Sequence, residues 1–128
     1  MLIALIVVLV WALACLGFDL YNTNKGLRAG IAQEGNELIT SLWKTKTPTL
    51  KQLAAVEVPI RLGIFGAGFI PGGAAYPYTF AVLALVALAL YGLRNIKGGR
   101  EWLWMFRNPG KTVPVANTVW QKIIGIWV

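Results

Sequence analysis

Three apolar stretches dominate the hydrophobic pattern: Leu2 to Phe18, which carries no charge, Leu53 to Ile70, and Tyr76 to Leu93. A helix needs about 20 predominantly apolar residues to cross the hydrocarbon core of a bilayer. The pattern therefore predicts an all-α membrane protein in one domain, 1–128, with three transmembrane helices at about 2–20, 53–70 and 76–93. The third holds the uninterrupted run FAVLALVALALYGL. The first need not stop at Phe18, because Asp19 to Ala32 has no proline. Leu16, Leu20, Leu27 and Ile31 keep a helical stripe while Asp19, Lys25 and Arg28 turn polar. This helix is expected to run on to about Gly30 or Gly35, where either glycine offers a left-handed C-cap.

Shorter amphipathic stretches separate and follow the apolar ones. Asn36 is a plausible N-cap, and Leu38, Ile39, Leu42 and Trp43 share one face, so 37–44 is expected to lie in the membrane interface. Thr47 and Pro48 are expected to open the next helix. PGGAAYP at 71–77 reads as a turn. Arg94 to Arg100 reads as a basic linker and 101–107 as a second interfacial segment. A third is expected at 117–128, with Asn117 as its cap and Val119, Trp120, Ile123, Ile124 and Trp127 as its apolar face. A strand is the alternative there. A two-span arrangement, with 53–70 as a half-entering hairpin, leaves the neutral turn unexplained.

Composition narrows the class. The chain is 57% hydrophobic and 13% charged, against about 25% charged in ordinary soluble domains. Its net charge is +7. With the N-terminus outside and the C-terminus cytoplasmic, every Lys and Arg except Arg61 falls on the inner side, and the outer turn carries none. Trp43, Trp102, Trp104, Trp120 and Trp127 fall on that same side and are expected to act as interfacial anchors. Anionic lipids are the expected partners of this basic face, and a nucleic-acid partner is not expected, because head groups account for the same residues.

The chemistry-bearing residues are few. There is no histidine, and Cys15, Asp19 and Ser41 are each the sole residue of their kind. A Ser-His-Asp or Cys-His set cannot be built, and zinc lacks its usual ligands. No catalytic activity, metal or cofactor is expected. Cys15 has no disulfide partner in the chain. Its lipoprotein-like setting, Ala12-Leu13-Ala14-Cys15, lacks a preceding basic residue, so a packing role is expected. Glu34 and Glu37 lack a third ligand and are read as solvated.

GAGFIPG at 66–72 resembles a dinucleotide fingerprint only superficially, since no strand precedes it and a proline interrupts it. Gly63, Gly66, Ala67 and Gly68 are better read as a close-packing helix face. Glu57 and Arg61, four apart with the acid first, suit a helical ion pair. Charges within a span are a functional-site hypothesis by default. A structural pair or a contact to a partner subunit is weighed above a proton or ion path. Asp19 is expected either to reach Arg61 between helices or to be solvated at the interface.

DLYNTNKGLRAGIAQEGNEL, residues 19–38, resembles a family of small uncharacterised prokaryotic membrane proteins with few spans. Asp19, Thr23, Gly30, Glu34 and Asn36 follow its Asp…Thr…Gly…Glu-x-Asn order, while Glu37 stands where the family prefers proline and Asn22 where a second threonine is common. The resemblance implies a helical membrane protein and no particular chemistry.

The expected function is that of a non-catalytic structural or accessory subunit of a larger membrane assembly, such as a respiratory, photosynthetic or secretion-type complex or a lipid-containing virion. Its partners would be other membrane subunits, in a homo- or hetero-oligomer. The alternatives are a phage-holin-like pore former and a small transporter or channel subunit.

Overall fold

The structure, a computed structural model, describes residues 1–31, 37–45, 47–111 and 113–125, with residues 37 and 38 described by backbone alone. Among the described residues the regular structure is all helix, without strands. The helices are α1 (Leu2–Arg28), α2 (Glu37–Trp43), α3 (Leu50–Ala67), α4 (Thr79–Arg107) and α5 (Val119–Ile124). Two of them, α1 and α4, are long and apolar enough to cross a membrane. The 18 residues of α3 include Lys51, Glu57 and Arg61, and α3 is not among those two.

Local chemistry fixes the helix ends. At the end of α1, Gly30 takes φ 71°. The Gly30 N–H donates to Leu27 O at 3.2 Å and the Ile31 N–H to Gly26 O at 3.1 Å. This is a Schellman closure, in which a left-handed glycine lets the chain turn back on the last carbonyls. Of the two expected glycines, Gly30 does the work. Gly35, the Asn36 cap, Glu34 and Trp127 lie outside the described residues, as do the side chains of Glu37 and Leu38.

The expected start of α3 at Thr47 and Pro48 is displaced to Thr49. Gln52 stands three residues after Thr49, and the two close a reciprocal capping box. The carbonyls of Thr47 and Pro48 instead accept from Arg28 Nη2, at 2.6 and 2.8 Å. The end of α1 thereby holds the entry to α3. The same box corrects the cap of α5: Thr118 and Gln121 form it, not Asn117.

The largest correction concerns α4. Residues 94–100, read as a linker, are helical, so 101–107 is the last part of a 29-residue helix and not a separate element. The glycines that suggested a linker are contact points. Phe18 covers Gly99 and Asp19 lies against Gly98.

Leu5, near the start of α1, packs with Ala81 and Ala84 of α4 and with Ile64 and Phe65 of α3. Leu27, near its end, belongs to a second cluster with Leu16, Leu20, Ile39 and Leu53, against which Trp102 packs. So α1 and α4 run side by side in the same direction, and α3 returns antiparallel to both. The α1–α4 seam has a seven-residue repeat. Trp11 sits on Gly92, Phe18 on Gly99, and the Lys25 ammonium lies 4.8 Å from the Phe106 ring centroid. One contact is reversed, with Trp102 of α4 covering Gly26 of α1. A seven-residue repeat is the spacing of helices that wrap with a left-handed twist, and glycine holes let large rings enter.

The predicted glycine face behaves differently. Among the described residues, only Gly68 of this face packs closely, where an added Cβ would lie 3.1 Å from both Ala84 Cβ and Leu5 Cδ2. Gly63 and Gly66 would meet nothing within 4 Å, and Ala67 is exposed. The internal holes are Gly26, Gly92, Gly98 and Gly99 instead, all on the α1–α4 seam, where Trp102, Trp11, Asp19 and Phe18 cover them.

Candidate functional site

The polar residues that the three long helices could not place outside converge at one level. Asp19 comes from α1, Glu57 and Arg61 from α3, and Asn95 with Tyr91 from α4. Arg61 is the centre and is 1% exposed. Its Nη1 donates to Glu57 Oε2 at 2.5 Å and to the Glu57 carbonyl at 2.9 Å. Its Nη2 donates to Asn95 Oδ1 at 2.8 Å. The guanidinium carbon also lies 4.6 Å from the Tyr91 ring centroid, within cation–π range. Arg61 Nε is buried and has no hydrogen-bond partner among the described residues.

Asn95 carries the connection onward. Its Nδ2 donates to Asp19 Oδ2 at 2.8 Å, and Thr23 Oγ1 donates to Asp19 Oδ1 at 3.3 Å. The amide is oriented by its neighbours: its oxygen must face the cation and its NH2 the carboxylate, and a flipped amide would lose both bonds. The expected Glu57–Arg61 pair is present. Asp19 is joined to Arg61 through Asn95.

The placement of these side chains follows from sequence spacing. Glu57 and Arg61 are one helical turn apart, so the acid reaches the guanidinium on the same face. Ala81, Ala84, Leu88, Gly92, Asn95 and Gly99 are the buried residues of α4. Their steps of three and four residues form one stripe facing α1 and α3. Asn95 is the single polar member of that stripe. A lone asparagine in an apolar seam fixes register, because any slip leaves its amide unpaired. That signal was available in the sequence, but the linker reading of 94–100 hid it.

The chemistry of the network favours holding over transfer. A guanidinium is not deprotonated in proteins. No proton can therefore pass from Glu57 to Asp19 through Arg61. A buried ion pair is costly to break, since loss of one partner strands the other charge. Among the described residues, no group of three or more Cys, Asp or Glu is placed to hold a metal ion.

The other predicted residues divide. Trp43 and Trp102 turn inward and pack on the Leu16–Leu20–Leu27–Ile39–Leu53 cluster. Trp104 is half-buried, and Trp120 is exposed. Cys15 is buried in α1. Of the residues that carry the family resemblance, Thr23 bonds Asp19 and Gly30 closes α1. Compared with known protein families, characterised proteins and solved structures, the chain matches none of them.

Proposed function

We propose that this chain is a non-catalytic structural or accessory subunit of a larger membrane assembly. In this reading α1, α3 and α4 are three spans, the N-terminus lies outside, and the basic ends of the helices with α2 and α5 lie at the cytoplasmic interface among anionic lipids. The observation that carries the assembly reading is the open face of α3. Among the described residues, no atom fills the room beside Gly63 and Gly66, which lie next to exposed Pro59, Leu62 and Ala67. Each exposed glycine within a helix costs about 0.5–1 kcal/mol relative to alanine. Close approach of a second helix offsets that cost, as in small-residue contacts between membrane helices. The polar network fits the same role, because its bonds join α1, α3 and α4 and present a rigid unit to a neighbour.

The test is purification of the full chain from its native membrane in mild detergent, with mass spectrometry of what accompanies it. Stoichiometric membrane subunits that are lost on Gly63→Leu or Gly66→Leu support the proposal. A monomer that purifies alone, from wild type and variants alike, overturns it.

A transporter or channel role is the second reading, prompted by a charged pair inside an apolar helix. It requires flux that depends on the pair. Unchanged flux in Glu57→Gln combined with Arg61→Leu would remove it.

A further inference from the structure

We infer that the C-terminal segment from residue 113 to residue 125 is a strap that seats on the head groups of an anionic lipid leaflet; this rests on the membrane reading above. The segment is a built element. Gln121 Oε1 accepts from the Asn117 and Thr118 N–H groups at 2.9 and 3.3 Å, and the Gln121 N–H donates to Thr118 Oγ1 at 3.1 Å. Its far end is pinned to α4. Gly125 is buried at φ 86°, and an added Cβ would lie 3.1 Å from Lys97 O and 3.3 Å from Lys97 Cα. The approach is tight, and the positive φ favours glycine there.

The pin sets the height of the strap. Arg94 is the first charged residue of α4 and is exposed. Gly125 touches Lys97 and Arg100, three to six residues further on, or about 5–9 Å along the axis at 1.5 Å per residue. The polar layer on each side of the hydrocarbon is about 5–8 Å deep. So the pinned end of the strap lies at head-group level. Gln121 and Ile124 are half-buried, while Val115, Val119 and Trp120 are 85%, 68% and 68% exposed. Lys111 and Lys122, both exposed, flank this apolar face. Apolar side chains with flanking lysines at this depth complement a leaflet whose phosphates are negative, and tryptophan prefers that depth.

The experiment uses the full chain reconstituted in vesicles that carry bromine on the acyl chains near the head groups, which quenches nearby indoles. The share of quenching due to Trp120 is the difference between wild type and Trp120→Phe. Vesicles of phosphatidylcholine alone are compared with vesicles that also contain phosphatidylglycerol. Trp120 is expected to be quenched more strongly with phosphatidylglycerol. Lys111→Gln combined with Lys122→Gln is expected to bring that share down to the phosphatidylcholine level. Equal quenching in both lipids, or none at Trp120 while the other tryptophans are quenched, overturns the strap. No quenching of any tryptophan overturns the membrane reading itself.

Discussion

Phe18 of α1 lies so close over Gly99 of α4 that a Cβ added to the glycine would overlap the phenyl ring, and Trp11 repeats the contact on Gly92 seven residues earlier. Two rings in two holes, separated by the same interval on both helices, define one axial register. In that register Asn95 meets Asp19. The apolar seam and the polar network therefore select the same alignment of α1 and α4.

Gly99→Leu is expected to destabilise the fold by about 1–3 kcal/mol, the usual range for forcing bulk into a packed contact. Phe18→Ala leaves the hole unfilled and should also destabilise. The two together should cost less than the sum of the single changes, because the larger residue at position 99 occupies space that the ring vacates. Thermal unfolding in detergent, followed by far-ultraviolet circular dichroism, measures all three. Additive losses would mean that the two residues do not share a contact.

Much of this arrangement was legible in the hydrophobic pattern, and the misreadings have physical causes. The uncharged run to Phe18 and the run from Phe80 both lie in helices, as long apolar runs without Pro or polar breaks favour. The Glu57–Arg61 pair was readable from its spacing alone. The continuation of α4 through Gly98 and Gly99 was not, because glycine lowers helix propensity and only the tertiary contact with Phe18 and Asp19 repays it. For the same reason, sequence could mark Gly63 and Gly66 as candidates for close packing but could not show that no described side chain of this chain reaches them.

Asn95→Leu is expected to cost about 1.5–3 kcal/mol, the range for hydrogen bonds to charged groups. It removes the acceptor of Arg61 Nη2 and the donor to Asp19 in one step. Arg61→Leu should cost at least as much, since it leaves Glu57 without its cation. The double variant should be less destabilised than the two losses added, because each change removes a bond the other needs. Equilibrium unfolding in mixed micelles gives the coupling directly, and a coupling near zero would show that Asn95 does not bridge the helices.

Gly63→Ala and Gly66→Ala test the opposite environment. Among the described residues, neither position has an atom within reach of a new methyl group. In the isolated chain each change is expected to raise stability by about 0.5–1 kcal/mol through helix propensity. In the native membrane the same changes should weaken association with other subunits, as read by chemical crosslinking. Unchanged crosslinking in Gly63→Leu and Gly66→Leu would mean that lipid covers this face.

Orientation across the membrane can be read with a thiol reagent that does not cross bilayers. Buried Cys15 is first replaced by alanine, so that only introduced thiols react. Ala74 lies in the uncharged turn between α3 and α4 and is exposed, and Lys111 follows α4 and is also exposed. Ala74→Cys is expected to label in intact cells, and Lys111→Cys only after permeabilisation. The expectation follows from charge, since lysine and arginine are retained on the cytoplasmic side. Labelling of Lys111→Cys in intact cells with Ala74→Cys protected would invert the orientation. Labelling of both would place the ends of α4 on one side and leave α1 as the sole crossing of the two long helices.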